Sequence, residues 1–273
     1  MKFVFCISLL IGISPLFAAE FDQLIGDTDL FGNDVEQALL HENAEKAEFD
    51  LQNEGSLFPG NADEVDHVSD SQDPITISVD GITIELRDVP RNAWFSRYVQ
   101  SAAERGIVSG YKDSNGKPKG IYGPSDSVTI EQLAKIALEA SDNDITSCDG
   151  TLKNAAAVGM WSEQYIACTE GLGWAVFSDG SVNILRPATR SEVVVTILQA
   201  FSITIIRGSG NVFKDVTAST EFSGAIEKAA LDSMVSGFAD EFGVLTGRFG
   251  PRDPVNRAEI AKMIILAVEI YGK

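Results

Sequence analysis

Histidine is almost missing from this sequence, which has two among its 273 residues, His41 and His67. Neither lies between residues 75 and 273, so this region lacks the usual general base, the Ser-His-Asp triad and the histidine ligands of metal sites. Asp126 and Asp253 are candidate catalytic carboxylates, but each lies in a loop before a helix, where turns favour Asp. We therefore predict that the protein is not an enzyme and holds no metal or cofactor.

Long apolar runs are also scarce, and the longest stands at the N-terminus. Residues 1–19 have one charge at Lys2, an apolar run to Phe17 and two alanines, which is the pattern of a secretory signal peptide. Pro15 interrupts the run, which is shorter than the roughly 20 residues of a membrane-spanning helix. We expect a secreted protein whose signal peptide is removed, rather than an uncleaved anchor, with no transmembrane segment in the mature chain.

Cysteine is rare as well, with three in the chain. Removal of the signal peptide takes Cys6 with it and leaves Cys148 and Cys168. In an exported protein an even pair of cysteines favours a disulfide bond. The alternative, a pair of metal ligands, lacks support because the histidines are far away in sequence and no CxxC motif exists. We therefore expect a Cys148–Cys168 disulfide.

Lysine and arginine are nearly missing between residues 20 and 74, where sixteen Asp or Glu accompany the single Lys46. Such a segment stays solvated and repels polyanions, so we predict an acidic, disordered linker. Nucleic acid is therefore not an expected partner of this protein.

What the sequence does contain is a hairpin pattern followed by three similar units. Apolar residues alternate on both sides of Asp80 and Gly81 and predict a β-hairpin over 75–86. Beyond it, apolar residues recur at helical spacing in three helix-loop-helix units, over 87–141, 142–206 and 207–273. The expected fold class is mainly α, with a short hairpin in front of the three units.

The second helix of each unit begins with a similar octet: VTIEQLAK from residue 128, ATRSEVVV from 188 and VNRAEIAK from 255. Thr or Asn followed three residues later by Gln or Glu predicts a capping box in all three units. Capping leaves Arg190 and Arg257 unexplained, because a helix N-terminus disfavours a cation. Each arginine either binds a carboxylate or phosphate there or forms a salt bridge to an acid of a neighbouring unit, such as Asp88 or Asp215.

The ordered motifs resemble those of the S-layer homology family over about residues 86–272. They are the openings LRDV and FKDV, the aromatic residues Trp94, Trp161 and Phe222, the turns GIVSGY and SMVSGF, the loops YGP and FGP, and the helix starts TRSE and NRAE. The resemblance implies a pseudo-threefold spindle with a central three-helix bundle and ligand grooves between repeats. It further implies non-covalent attachment to a cell-wall polysaccharide, often one with ketal-linked pyruvate, in the cell envelope or S-layer.

The resemblance also implies a set of ligand-binding residues. Arg190 and Arg257 would bind carboxylate, since an arginine forms two parallel hydrogen bonds with such a group. Four aromatic residues would line the grooves or, equally, fill the core: Trp94, Trp161, Tyr111 and Phe238. The two acids of the Asp-Val openings, Asp88 and Asp215, complete the set.

The first and second units depart from the family pattern. Ile130 and Gln132 replace Arg and Glu in the first unit, so we expect its groove to lack a cation. The second unit has no Asp-Val opening and carries the expected disulfide. We therefore expect at most two grooves that bind ligand. The alternative function is an envelope scaffold or adaptor that binds another envelope protein and has lost polymer binding.

Overall fold

A computed structural model describes residues 73–79, 81–141, 143–148 and 151–272. All of them belong to one compact unit, Val65–Lys273. The predicted signal peptide over 1–19 lies outside the described residues, and so does the predicted acidic linker except for its last two residues.

The predicted hairpin is confirmed. Strands β1 (Pro74–Val79) and β2 (Ile82–Pro90) pair antiparallel, with Ile77 opposite Ile84. Gly81 has φ +76, a left-handed conformation that glycine adopts without steric cost in a tight turn. Buried residues on one face of the hairpin belong to the core that the first described helix, Ser96–Glu104, also joins: Ile75, Ile77 and Leu86.

The described part of the chain is mostly helical, as predicted. The first helices of the three units are α1 (Ser96–Glu104), α3 (Glu163–Gly171) and α5 (Ser223–Leu231). The second helices are α2 (Ile130–Ala140), α4 (Arg190–Ala200) and α6 (Arg257–Tyr271). Two short 3-10 helices, Ile145–Ser147 and Ala155–Ala157, lie between α2 and α3.

The predicted capping boxes are present at the start of all three second helices. In α6, for example, the Asn256 side chain accepts from the Glu259 backbone N–H at 2.8 Å, and the Asn256 backbone N–H donates to Glu259 Oε2 at 2.9 Å. These pairs satisfy backbone groups that have no partner within the helix. The third residue of each second helix is thereby held close to the helix N-terminus.

Each second helix packs against the first helix of the next unit in a cyclic order. Helix α2 contacts α3, α4 contacts α5, and α6 contacts α1, while α2, α4 and α6 also contact one another. No unit therefore completes its own core, which is typical of repeat proteins. The largest fully buried side chains come from all three units and include Leu133, Ile197 and Ile226.

The residues just before the second helices form a ring of backbone hydrogen bonds. The Val128 N–H donates to the Val255 carbonyl at 2.9 Å, the Ala188 N–H to the Val128 carbonyl at 2.8 Å, and the Val255 N–H to the Ala188 carbonyl at 3.1 Å. All three side chains are fully buried. The helix starts of the three units are thus fastened to one another in a closed ring.

The same cyclic order determines which loop each helix start contacts. The backbone N–H of Ile130 donates to the Arg186 carbonyl, that of Arg190 to Asp253, and that of Arg257 to Asp126. Each second helix therefore begins against the loop of a different unit. An arginine at this position contributes its side chain to a neighbouring unit rather than to its own.

The expected disulfide is confirmed between Cys148 and Cys168. It joins the segment after α2 to helix α3, where Cys168 is fully buried. Crosslinking residues 20 apart removes conformational entropy from the unfolded chain and stabilises the fold by roughly 3 kcal/mol.

Candidate functional site

Arg257 begins helix α6 and extends its side chain into the first unit. Its Nε donates to the Tyr122 carbonyl at 2.8 Å and its Nη2 to the Ser109 carbonyl at 2.7 Å. The guanidinium lies over the rings of Tyr111 and Tyr122, with its carbon 5.3 and 4.5 Å from the ring centres. Burial raises the pKa of Tyr122 to about 12, so its hydroxyl stays protonated and donates to the Arg257 carbonyl. Carbonyls and aromatic faces thus fix this arginine in place.

The Arg257 side chain is buried and forms no ion pair with the residues that the structure describes. Its residue is 7% exposed, and no described carboxylate lies within 4.0 Å of its guanidinium. Asp126, the acid of the facing loop, instead accepts a 2.6 Å hydrogen bond from the Tyr111 hydroxyl. A buried cation is costly unless it is compensated by opposite charge or hydrogen bonds. The Tyr122 and Ser109 carbonyls accept hydrogen bonds from Arg257 but do not neutralise its charge, so the arrangement favours an anion beside it.

A cleft of about 520 Å³ opens beside Arg257. Its polar and aromatic lining residues define what we call the Arg257 cleft: Ser109, Tyr111, Lys112, Gln132, Lys135, Trp161 and Arg257. Three of them are cations and none is an acid, in a chain whose net charge is -19. The cleft combines residues of all three units, as the cyclic packing of the helices requires.

Trp161 forms one wall of the Arg257 cleft and remains 53% exposed. Its indole Nε1 donates to Glu131 at 3.1 Å, and the Ser162 hydroxyl donates to the other Glu131 oxygen at 2.6 Å. Glu131 is buried in the first turn of α2, where the helix dipole stabilises its charge. The tryptophan is thus held with one face open, a geometry suited to packing against a sugar ring.

Glu131 is a residue that sequence analysis missed. The only signal in the sequence is an acid at the second position of α2, where the other units have Ser191 and Ala258. A negative charge in a first helical turn is common and needs no partner. Its bond to Trp161 depends on the packing of α2 against α3, which no local pattern reveals.

Arg190 occupies the equivalent position at the start of α4 but has different partners. Its Nε donates to the Phe249 carbonyl at 2.9 Å, and its guanidinium lies over the rings of Phe238 and Phe249. Unlike Arg257, it forms an ion pair, at 3.2 Å, with Glu259. Burial lowers the pKa of Arg190, and the negative charge of Glu259 opposes that shift. We call Arg190, Phe238, Phe249 and Glu259 the Arg190 site.

Asp88 and Asp215, predicted as ligand-binding residues or salt-bridge partners, accept hydrogen bonds from the loop backbone, and Asp215 also lies 3.7 Å from Arg248 Nε. Asp88 accepts from the N–H groups of Tyr122 and Gly123, at 2.8 and 2.7 Å. Asp215 accepts equivalently from Phe249 and Gly250, at 2.8 and 2.9 Å. Burial opposes the charge of Asp215, but these N–H groups outweigh it and keep its pKa below the ordinary value. Both acids shape the loops whose carbonyls bind Arg257 and Arg190.

Trp94 is 54% exposed and lies on the first unit, away from Arg257. The ammonium of Lys262, on α6, is 5.9 Å from the centre of its ring. Lys262 and Lys135 are each the sixth residue of their helices, and Lys135 lines the Arg257 cleft together with Trp161. Each predicted aromatic residue thus lies near a cation. Tyr111 and Phe238 lie beneath Arg257 and Arg190. Trp94 lies beside Lys262, and Trp161 lines the same cleft as Lys135.

The expectation that the first-unit groove lacks a cation is wrong. Ile130 is fully buried and begins a helix that contacts the second unit, so its side chain does not serve the groove of its own unit. Arg257, from the third unit, supplies a guanidinium to the first-unit groove, and Lys112 and Lys135 also line it. In the loop before α4, Arg186 stands at the position that Asp126 and Asp253 occupy in the first and third units. It pairs with Glu192 at 2.5 Å.

Within the described ranges, no group of three or more His, Cys, Asp or Glu is placed to hold a metal ion. No helix among the residues described combines the length and the apolar character that crossing a membrane requires.

Comparison with known proteins agrees with the resemblance found in the sequence. Residues 85–134 match the family model of the S-layer homology domain. This segment runs from the hairpin through the GIVSGY turn to the start of α2, and contains most of the Arg257 cleft. Residues 85–134 are therefore similar to an S-layer homology domain.

A curated relative extends the similarity beyond this segment. The chain is 25% identical over 189 residues to S-layer protein EA1 of Bacillus anthracis. The alignment covers 68% of this chain and 20% of that protein, so the chain spans about a fifth of its relative's length.

Proposed function

We propose that the protein resides in the cell envelope and binds an anionic cell-wall polysaccharide through the Arg257 cleft. The observation that carries this proposal is the buried Arg257, which has no ion pair among the described residues and faces a cleft with two lysines and no acid. The S-layer homology domain and the S-layer relative support the cell-wall assignment. They also support a structural rather than an enzymatic role.

The favoured anion is a carboxylate attached to a sugar, such as a ketal-linked pyruvate. A carboxylate of this kind is ionised at neutral pH and accepts two parallel bonds from the open edge of a guanidinium. Trp161 offers an exposed aromatic face to the ring that carries it. The three units at 87–141, 142–206 and 207–273 would act together as a spindle of three repeats, since the cleft takes residues from each.

The test is sedimentation of the purified protein with wall sacculi from its source, before and after the secondary polymer is stripped. We expect retention on intact sacculi and release after stripping. Lys135→Glu should lower the affinity about tenfold, because it places a carboxylate in the cleft. Lys262→Glu is the matched control at the same position of α6, and it should bind like the wild type. Equal retention on stripped sacculi would refute polymer binding.

The second candidate function is an envelope adaptor that binds another protein. Exposed apolar side chains in the loop of the third unit favour it, namely Phe242, Val244 and Leu245. An adaptor would stay off sacculi in the same assay.

A further inference from the structure

A loop of the same fold follows the first helix of the first unit and of the third unit. The two loops span 112–118 and 239–245, and one antiparallel pair of residues closes each of them. Asp113 and Asp240 organise the loops alike, since each side chain accepts from the backbone N–H groups two and four residues further on, at 2.9 Å. We call them the basic loop and the Phe242 loop.

The side chains that the two loops expose are different. Asn115 and Lys117 of the basic loop stand at the positions of Phe242 and Val244. Phe242 is 82% exposed, more than any other large apolar side chain that the structure describes, and Val244 and Leu245 are exposed beside it. The basic loop forms the same turn without these apolar residues, so the fold does not require them. Exposed apolar patches of this kind mark interaction surfaces.

Two acids lie directly before Phe242. Asp240 accepts from the loop backbone, whereas Glu241 forms no ion pair with residues that the structure describes. The Phe242 loop thus presents an aromatic ring and a carboxylate side by side. A partner that covers this loop needs an apolar pocket with positive charge at its edge, because burial of an unpaired carboxylate is costly.

The Arg257 cleft has this combination of properties. Lys112, Lys135 and Arg257 supply positive charge, and no acid lines the cleft. The remaining walls include apolar side chains, namely Ile107, Val108, Ile136 and Trp161. Its volume of about 520 Å³ lies within the range of roughly 300–1,000 Å³ that small-molecule sites have, so a phenyl ring and a neighbouring carboxylate can enter.

The Phe242 loop does not reach the Arg257 cleft of its own molecule. Phe242 is exposed, and no residue of its loop lines the cleft. Backbone bonds hold the loop on the third unit: the Phe238 N–H donates to the Arg248 carbonyl and the Thr246 N–H to the Phe238 carbonyl, both at 2.8 Å. The loop therefore meets such a cleft only on a second copy of the chain.

We propose that the Phe242 loop of one molecule binds in the Arg257 cleft of a second copy. The Phe242 ring packs against Trp161 of the other molecule, and Glu241 approaches the cations of that cleft. Each molecule has one such loop and one such cleft, so the contact joins copies head to tail into rings or open chains. This association goes beyond the proposed function, since a molecule whose cleft holds polysaccharide still presents its loop to the next molecule.

Sedimentation velocity of the purified protein over a wide range of concentrations tests this association. The wild type should gain mass with concentration and pass beyond a dimer, as a head-to-tail contact requires. Phe242→Asn should raise the dissociation constant at least about tenfold, because truncation of an aromatic anchor has this effect. The loop should keep its fold, since Asn115 stands at the same position of the basic loop. Ile206→Asn is the matched control, because Ile206 is 75% exposed and lies outside both loop and cleft, and it should associate like the wild type.

A mixture of two defective variants tests which surfaces meet. Phe242→Asn has an altered loop and an intact cleft, whereas Lys135→Glu has an intact loop and a cleft with an added carboxylate. Each variant alone should stay monomeric at a concentration where the wild type associates. Together they should form a one-to-one complex and nothing larger, because one intact loop and one intact cleft remain. Circular dichroism of each variant establishes that the helices are intact.

The outcomes separate this association from the proposed function. A wild type that stays monomeric, a Phe242→Asn variant that assembles like the wild type, or a mixture that forms no complex would each overturn the association. The proposed function fails by a different result, namely a wild type that does not bind wall sacculi. A wild type that associates through the loop but stays off sacculi would support the association and refute polysaccharide binding.

Discussion

A glutamate in the capping box of α4 is the clearest case of a residue with two roles. Glu192 accepts from the Thr189 backbone N–H at 2.9 Å and from both terminal nitrogens of Arg186. Burial opposes ionisation of Glu192, but the bonds from Arg186 and Thr189 outweigh it and hold its pKa below the ordinary 4.5. Its negative charge is therefore more stable in the folded protein than in the unfolded chain.

This shift predicts a pH-dependent contribution to stability. A group with a lowered pKa stabilises the fold above its unfolded value and loses that effect as the pH falls through the folded value. Glu192→Gln should therefore lower the melting temperature at pH 7, and the difference from the wild type should shrink below pH 4.5. Thermal unfolding of both proteins between pH 3 and 7 measures this. A difference that is constant with pH would contradict the assignment to the ion pair.

At the same scale, the sequence predicted some residue roles and missed others for a definite reason. The three capping boxes and the Cys148–Cys168 disulfide depend on local spacing or on the count of cysteines, and the structure confirms them. The partners of Arg190 and Arg257 depend on which unit each helix contacts. Ile130 lies against the loop of the second unit, whereas Gln132 lines the groove of the first unit. The two residues therefore belong to different sites, although together in the sequence they suggested one groove that had lost its cation.

At the scale of elements, the helices exchange partners in a cycle. The second helix of one unit packs against the first helix of the next, and α6 returns to α1. The spacing of apolar residues predicted the helices. It did not predict this exchange, because an apolar stripe shows which face of a helix is buried but not which other helix covers that face. The physical consequence is that removing one unit would expose apolar faces on both others.

The exchange predicts that the three units unfold together. We expect one thermal transition, with the same midpoint in far-UV circular dichroism and in tryptophan fluorescence. The fluorescence reports on the first unit through Trp94 and on the second through Trp161 and Trp174. Trp94→Phe restricts the signal to the second unit and should leave the midpoint coincident with the dichroism. Separate midpoints would mean that the units are independent domains.

At the scale of the whole molecule, the distribution of charge matters more than its sum. The chain has a net charge of -19, of which the segment over 20–74 contributes the larger part. A negative protein repels a polyanion at long range, but salt at 0.1 M screens charges beyond about 10 Å. Lys112, Lys135 and Arg257 line the cleft, and no acid does. Local charge therefore decides what the cleft accepts.

The central claim is that the Arg257 cleft binds the negative charge of a wall polysaccharide, and chemical removal of that charge tests it most directly. The binding isotherm of the intact protein is measured on purified wall polysaccharide before and after its carboxylates are reduced to alcohols. If Arg257 binds these carboxylates, reduction lowers the affinity at least about tenfold, as expected when a charged hydrogen bond is lost. Unchanged affinity for the reduced polysaccharide would contradict it.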